Sequence, residues 1–220
     1  MSTEMSTDAR LEAGLSPERL AFFTDAIFAI AMTLLAVELK HPDEGQLGSG
    51  RALWGFLAGQ RSSYLAFALA FMLLWSVWRR HHVLMDGVRR LSRAFAFWHA
   101  PFLLLVAFLP FPTAVIGASI TNPLAQTLFA GTMAAMVCCE AAVKEIAVGA
   151  GLVVGAPAGT RRQADASWSV GFWFVLSAAL AWVSPYAYVL WFVAHSAAAY
   201  GGPLLGRLRA GRGSVVDGPR

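Results

Sequence analysis

Long apolar runs, each wide enough to cross a bilayer and each closed by a short charged stretch, set the terms for this chain. A soluble domain could not hide so much apolar side chain; lipid can. Hydrophobic residues make up 57% of the 220 positions against 14% charged, with a mean hydropathy of +0.57, so little remains for a separate soluble domain. The expected fold is all-α, a polytopic membrane protein of six spans per subunit. These fall at about residues 17–39, 62–78, 94–116, 124–143, 168–183 and 186–205. The first has Ser16 as N-cap, Pro17 at the first helical position and Glu18 in the first turn. At about 1.5 Å per residue it reaches roughly 34 Å, enough to cross. The third contains Pro101, Pro110 and Pro112 and is expected to kink or end early. Residues 149–159 read as a Gly/Ala/Pro loop. The expected division is a tail over 1–16, the six-helix unit over 17–206, and a basic Gly-rich tail over 207–220.

Charge gives the orientation. Six spans place both termini on one side. Fourteen basic residues fall on that side, among them Arg79, Arg80, Arg89, Arg90 and Arg93 after the second span and Lys144, Arg161 and Arg162 around the fourth-to-fifth connection. Only Lys40, Arg51 and Arg61 fall on the other. This is a positive-inside pattern, so both termini are expected in the cytoplasm of a cell-membrane protein. The net charge of +4 is then a topology signal and calls for no nucleic acid. The first residues are polar and mixed in charge, unlike the basic-then-apolar start of a signal peptide. Cys138 and Cys139 are adjacent in an apolar run and suggest neither a structural disulfide nor zinc.

The segment FFTDAIFAIAMTLLAVELK, residues 22–40, puts an acid and a hydroxyl into the first span. At about 100° per residue with Ile30 at zero, Phe23 lies near +20°, Leu34 near +40°, Val37 near −20° and Thr33 near −60°. They form one mainly apolar stripe, and Asp25 stands about 140° from it. Two roles are open to Asp25: a carboxylate paired with a neighbouring helix, or a proton or ion site. Thr33 either bonds the Ala29 carbonyl or serves the stripe. The tryptophans lie mostly near span ends, where an interfacial belt accounts for most of them.

Three stretches resemble one family. RLAFFTDAIFAIAMTLLAVEL is similar to the R-x-x-x-F-S-D signature of bacterial relatives of the lysosomal potassium channel called transmembrane protein 175, through Arg19, Phe23 and Asp25, with Thr24 where Ser is usual. WRRHH, residues 78–82, resembles the W-x-x-H-H end of that family's second helix, and LPFPT, residues 109–113, a proline-bearing end of its third. The resemblance covers the first half; the second agrees in span count. It implies a homotetramer in the bilayer whose first helices line a pore for monovalent cations, potassium favoured, with proton leak and without a carbonyl selectivity loop. No TVGYG-like stretch occurs. Carried over, Ile30 is the expected hydrophobic gate, Thr33 a hydroxyl layer, and Leu34 and Val37 further apolar lining. Glu38 stands at the outer mouth or is a solvated interfacial acid. Arg19, Phe23, Thr24 and Asp25 belong to a polar network with His81 or His82, and His99 is a further candidate partner. His195 is expected to bond a neighbouring helix. No cofactor or metal is expected, only permeant potassium. The competing reading is a proton-coupled or cation secondary transporter using Asp25; the unbroken first span favours a channel. No G-x-S-x-G, H-E-x-x-H or paired intramembrane aspartate is present, and an enzyme is not expected.

Overall fold

A computed structural model describes residues 16–155 and 157–192. Over these residues the chain is helical, with one isolated antiparallel bridge, Val88 to Val153, and no strand. The helices are α1 (Pro17–Val37), α2 (Glu44–Leu47), α3 (Gly50–Gly59), α4 (Arg61–Gly87), α5 (Arg93–Phe108), α6 (Pro110–Ala118), α7 (Pro123–Gly149) and α8 (Pro157–Leu180), followed by a 3-10 turn at Ala187–Val189. The two expected tails lie wholly or almost wholly outside the described residues, as do His195 and most of the sixth span.

Among the described residues, four segments are long and apolar enough to cross a membrane: Pro17–Val37, Arg61–Gly87, Arg93–Ala118 and Pro123–Gly149. The start of α1 follows from its sequence. Ser16 is extended, its Oγ accepts from the Arg19 N–H, and Pro17 opens the helix. Within Arg93–Ala118, Pro101 is absorbed inside α5, and the interruption falls at Leu109. Pro110 and Pro112 lack N–H donors, so carbonyls one turn earlier lose their partners. The Leu109 carbonyl accepts twice from Thr113, from its N–H at 3.2 Å and its hydroxyl at 2.8 Å.

Three expected boundaries are corrected. The second span continues to Gly87, because His81, Leu84 and Met85 keep burying a face beyond Trp78. Arg79 and Arg80 are therefore helical, not in the connection, and His81 and His82 lie within the helix and not at its end. The fourth continues to Gly149, which brings Lys144 inside a helix. The loop expected to Gly159 ends earlier, at Pro157, and α8 carries Arg161, Arg162 and Asp165 before its apolar part. That polar start keeps α8 out of the membrane-length apolar set.

The α4–α5 and α7–α8 connections are stitched together. Val154 N–H donates to the Gly87 carbonyl at 2.9 Å and Arg89 N–H to the Leu152 carbonyl at 3.2 Å. Gly151, at φ +61°, supplies the left-handed residue after α7, and Leu152 N–H closes back on Ala147 at 2.9 Å. Leu20, Leu84, Phe95, Val143 and Leu152 seal this bridged end in one cluster. The starts of α1 and α5 and the ends of α4 and α7 thus meet on one face, where the charge pattern puts the basic connections. The main core lies between α1, α4, α5, α6, α7 and α8 and includes Phe28, Phe102 and Phe129.

α7 and α8 approach closely at Gly171. A Cβ there would stand 2.9 Å from Cys138 Sγ and 3.4 Å from Val137 Cγ2, whereas one at Gly131 meets nothing within 4 Å. Gly171→Leu is expected to cost about 1–3 kcal/mol through overpacking, read as a lowered midpoint of thermal unfolding in detergent. Gly131→Leu is the control and leaves the midpoint near that of the parent; equal losses at both sites contradict the packing account.

Candidate functional site

α1 has two unlike sides. Leu20, Thr24, Phe28, Ala31 and Leu35 recur every three or four residues and are buried against α4, α5 and α6. Phe28 meets the Phe102 ring with centroids 5.8 Å apart. The opposite side has no partner among the described residues. Phe23 is 59% exposed, Ile30 58%, Leu34 42% and Val37 64%, a stripe along the whole helix. Thr33 lies on the same side, and its Oγ1 donates to the Ile30 carbonyl at 2.8 Å, not to Ala29. With its one hydrogen spent on the helix, that oxygen turns lone pairs outward. Glu38 is an exposed C-cap residue beyond the stripe.

Asp25 is half-buried and bonded across to α4. Trp78 Nε1 donates to Asp25 Oδ1 at 2.8 Å, and His82 Nδ1 lies 3.5 Å from Oδ2. The Trp78 and His82 rings stack with centroids 5.2 Å apart, one helical turn separating them. Of the two candidate histidines, His82 therefore meets Asp25. His81 points elsewhere. It is 1% exposed, with its ring 5.1 Å from His99 and 5.0 Å from Phe102. His99 does not reach Asp25 either, since its Nδ1 donates to the Phe95 carbonyl at 2.7 Å. The Arg19 side chain is exposed and has no hydrogen bond or ion pair among the described residues. Thr24 is buried, and its hydroxyl has no hydrogen-bond partner among them. So the structure joins Asp25 and His82 and leaves Arg19, Thr24 and His81 out of that contact. A cavity of about 330 Å³ opens beside it, lined among others by Glu18, Phe22, Asp86 and Arg89.

Two features escaped the sequence reading. An interfacial belt accounts for most of the tryptophans, yet Trp78 holds the acid. Trp191 likewise is 1% exposed and donates to Ser177 Oγ at 2.8 Å. The second is a buried charge cluster. Glu140 and Lys144 are wholly buried, with Lys144 Nζ 2.6 Å from Glu140 Oε1. Arg80 stands 3.3 Å from Glu140 Oε2, and Ser167 Oγ 2.9 Å from the same oxygen. The available signal was an acid and a lysine four residues apart inside an apolar run, which share one helix face. Among the described residues no group of three or more His, Cys, Asp or Glu is arranged to hold a metal.

Comparison with known proteins agrees with this geometry. Residues 19–110, which include the exposed stripe, Asp25 and the Trp78–His82 turn, match the family described as the endosomal/lysosomal potassium channel TMEM175. A potassium channel of Chamaesiphon minutus is 35% identical over 127 residues, covering 54% of this chain and 59% of that one. A potassium channel of Streptomyces collinus is 37% identical over 98 residues, covering 44% and 46%. The matched region thus spans about half the length of these curated relatives. The crystal structure of a lysosomal potassium-selective channel TMEM175 homolog from Chamaesiphon minutus superposes with a TM-score of 0.73 at 26% identity, over 84% of this chain and 97% of that one. A variant of the potassium channel MtTMEM175 shares the fold, at TM-score 0.58 and 14% identity, over 87% and 93%. Signature stretch, fold and relatives agree: residues 19–110 match the TMEM175 family, and the chain is similar to its potassium channels and has the apolar helices of a multi-pass membrane protein.

Proposed function

We propose that four copies of this chain form a potassium-favouring cation channel in the cell membrane. Six spans per subunit over residues 17–206 turn the exposed side of α1 toward a common axis, with both termini in the cytoplasm. The observation that carries this reading is the stripe of Phe23, Ile30, Leu34 and Val37 left exposed among the described residues, with the Thr33 oxygen beside it, on the helix that bears the family signature. Four Ile30 side chains converging on an axis make an apolar neck that closes by losing its water. Four Thr33 oxygens next to it replace part of a permeant ion's hydration. Potassium gives up water more readily than sodium, so a weakly polar neck favours it. No carbonyl filter is needed, and no cofactor takes part. Glu38, beyond Val37, draws cations toward the outer mouth. The relatives are named as potassium channels, which also argues against an enzyme.

The test is flux through the purified protein in liposomes under a potassium gradient at clamped voltage. A current far above carrier turnover, with a reversal potential nearer potassium than sodium, supports the proposal; a saturating, carrier-like flux sinks it. Thr33→Val removes the oxygen and keeps the shape. The ratio of potassium to sodium permeability should fall roughly five-fold, which corresponds to one polar contact of about 1 kcal/mol. An unaltered reversal potential would return Thr33 to helix packing alone.

A further inference from the structure

The turn of α4 from Trp78 to His82 sends side chains to three different helices. Trp78 and His82, four residues apart, share the face toward α1 and hold Asp25. Arg80, between them in sequence, points to the opposite side at about 200° from Trp78. It reaches Glu140 of α7, where Lys144 and the Ser167 hydroxyl of α8 complete the set. His81 faces His99 of α5. The rotation of α4 about its own axis is therefore fixed from three directions, and only one of these, the Arg80–Glu140 contact, is between opposite charges with the acid wholly buried. That acid is not free to move. It is gripped by Lys144 at 2.6 Å and by Ser167 at 2.9 Å, so it is a fixed anchor and Arg80 is the side chain that uses it.

We propose that Arg80 is a positioning residue for the pore helix: by holding α4 on Glu140, it sets the angle at which Trp78 and His82 meet Asp25, and so the orientation of the exposed side of α1. The α1 helix packs on α4, α5 and α6. Disturbance at Arg80 reaches α1 through the α4 turn. The electrical consequence rests on the channel reading above; the structural one does not.

Arg80→Gln is the informative variant, because it leaves Glu140 paired with Lys144 and Ser167 and the protein able to fold. Amide hydrogen exchange is followed over residues 19–28 of α1 in the reconstituted protein, beside single-channel recording. Exchange there should rise roughly ten-fold, the scale of a modest local loosening. Glu140→Gln should do the same, and Arg80→Lys should restore most of the protection. Combining Arg80→Gln with Asp25→Asn should add little to either alone, since both break one line of contact. Open probability should shift with Arg80→Gln and return with Arg80→Lys. The proposal is overturned if exchange over 19–28 is unaltered while α4 itself loosens, or if the Arg80 and Asp25 effects multiply in full. Should Ile30 substitutions leave ion flux untouched, the channel reading falls, and the exchange result still decides the role of Arg80.

Discussion

Ile30→Asn is expected to raise single-channel conductance about ten-fold or more and to carry the permeability ratio for potassium over sodium close to that of free diffusion. The side chain is 58% exposed at the middle of α1, so the substitution buries no amide inside the subunit and leaves the fold intact. On an axis shared by four copies it exchanges an apolar ring for a polar and smaller one. Water then stays in the neck, and the barrier from dewetting disappears. Every 1.4 kcal/mol or so removed from a barrier multiplies the rate by about ten. Discrimination falls with the barrier, because an ion that keeps its water is not asked to trade it for protein oxygens. Conductance and selectivity that both stay at the parent values would mean the narrowest point lies elsewhere.

Glu140→Ala is expected to be the most destabilising single substitution among the charged residues described, at about 3–5 kcal/mol. Glu140 is wholly buried and accepts from Lys144, Arg80 and Ser167. Without it, Lys144 is left as a buried cation with Ser167 as its hydrogen-bond partner. Arg80 differs, since its side chain is 19% exposed and it can turn toward water at the bridged end. Replacing Glu140 and Lys144 together by Met removes both wholly buried charges and fills the volume, so the pair should recover most of the loss. Unfolding midpoints of both variants in detergent check this. A single substitution costing less than about 1 kcal/mol, or a double one costing more than the single, contradicts the picture of a cluster held together by its acid.

How far the sequence reaches differs from helix to helix. The first was readable nearly to its ends, because Ser16 and Pro17 cap it by local rules and its apolar run stops at Glu38. The separation of Asp25 from the Ile30 stripe was also readable, since helical periodicity alone sets it. The ends of α4 and α7 were not. Arg79, Arg80 and Lys144 look like the close of a span, and only packing shows that they continue a helix whose other residues are buried. The partner of Asp25 was half visible. A histidine at matching depth was expected and His82 takes the place, but the indole of Trp78 carries no mark that separates it from an interfacial belt residue. Arg19, placed in the same network by resemblance, stands exposed one and a half turns away, because its position on α1 faces away from α4. Periodicity tells which residues share a face. It does not tell which neighbour that face meets, and the Glu140 cluster, built from α4, α7 and α8 at once, exists only at that level.

The central claim is that the exposed stripe of α1 meets copies of itself. Ile30→Cys in a background with Cys138 and Cys139 replaced by Ala, reconstituted and mildly oxidised, tests it by the formation of covalent dimers. Leu104→Cys, at a site 70% exposed on α5, serves as the comparison. The account predicts rapid cross-linking through position 30 and little through position 104. Absence of cross-linking at 30, together with ready labelling there by a lipid-soluble thiol reagent, would place the stripe against the bilayer and contradict it.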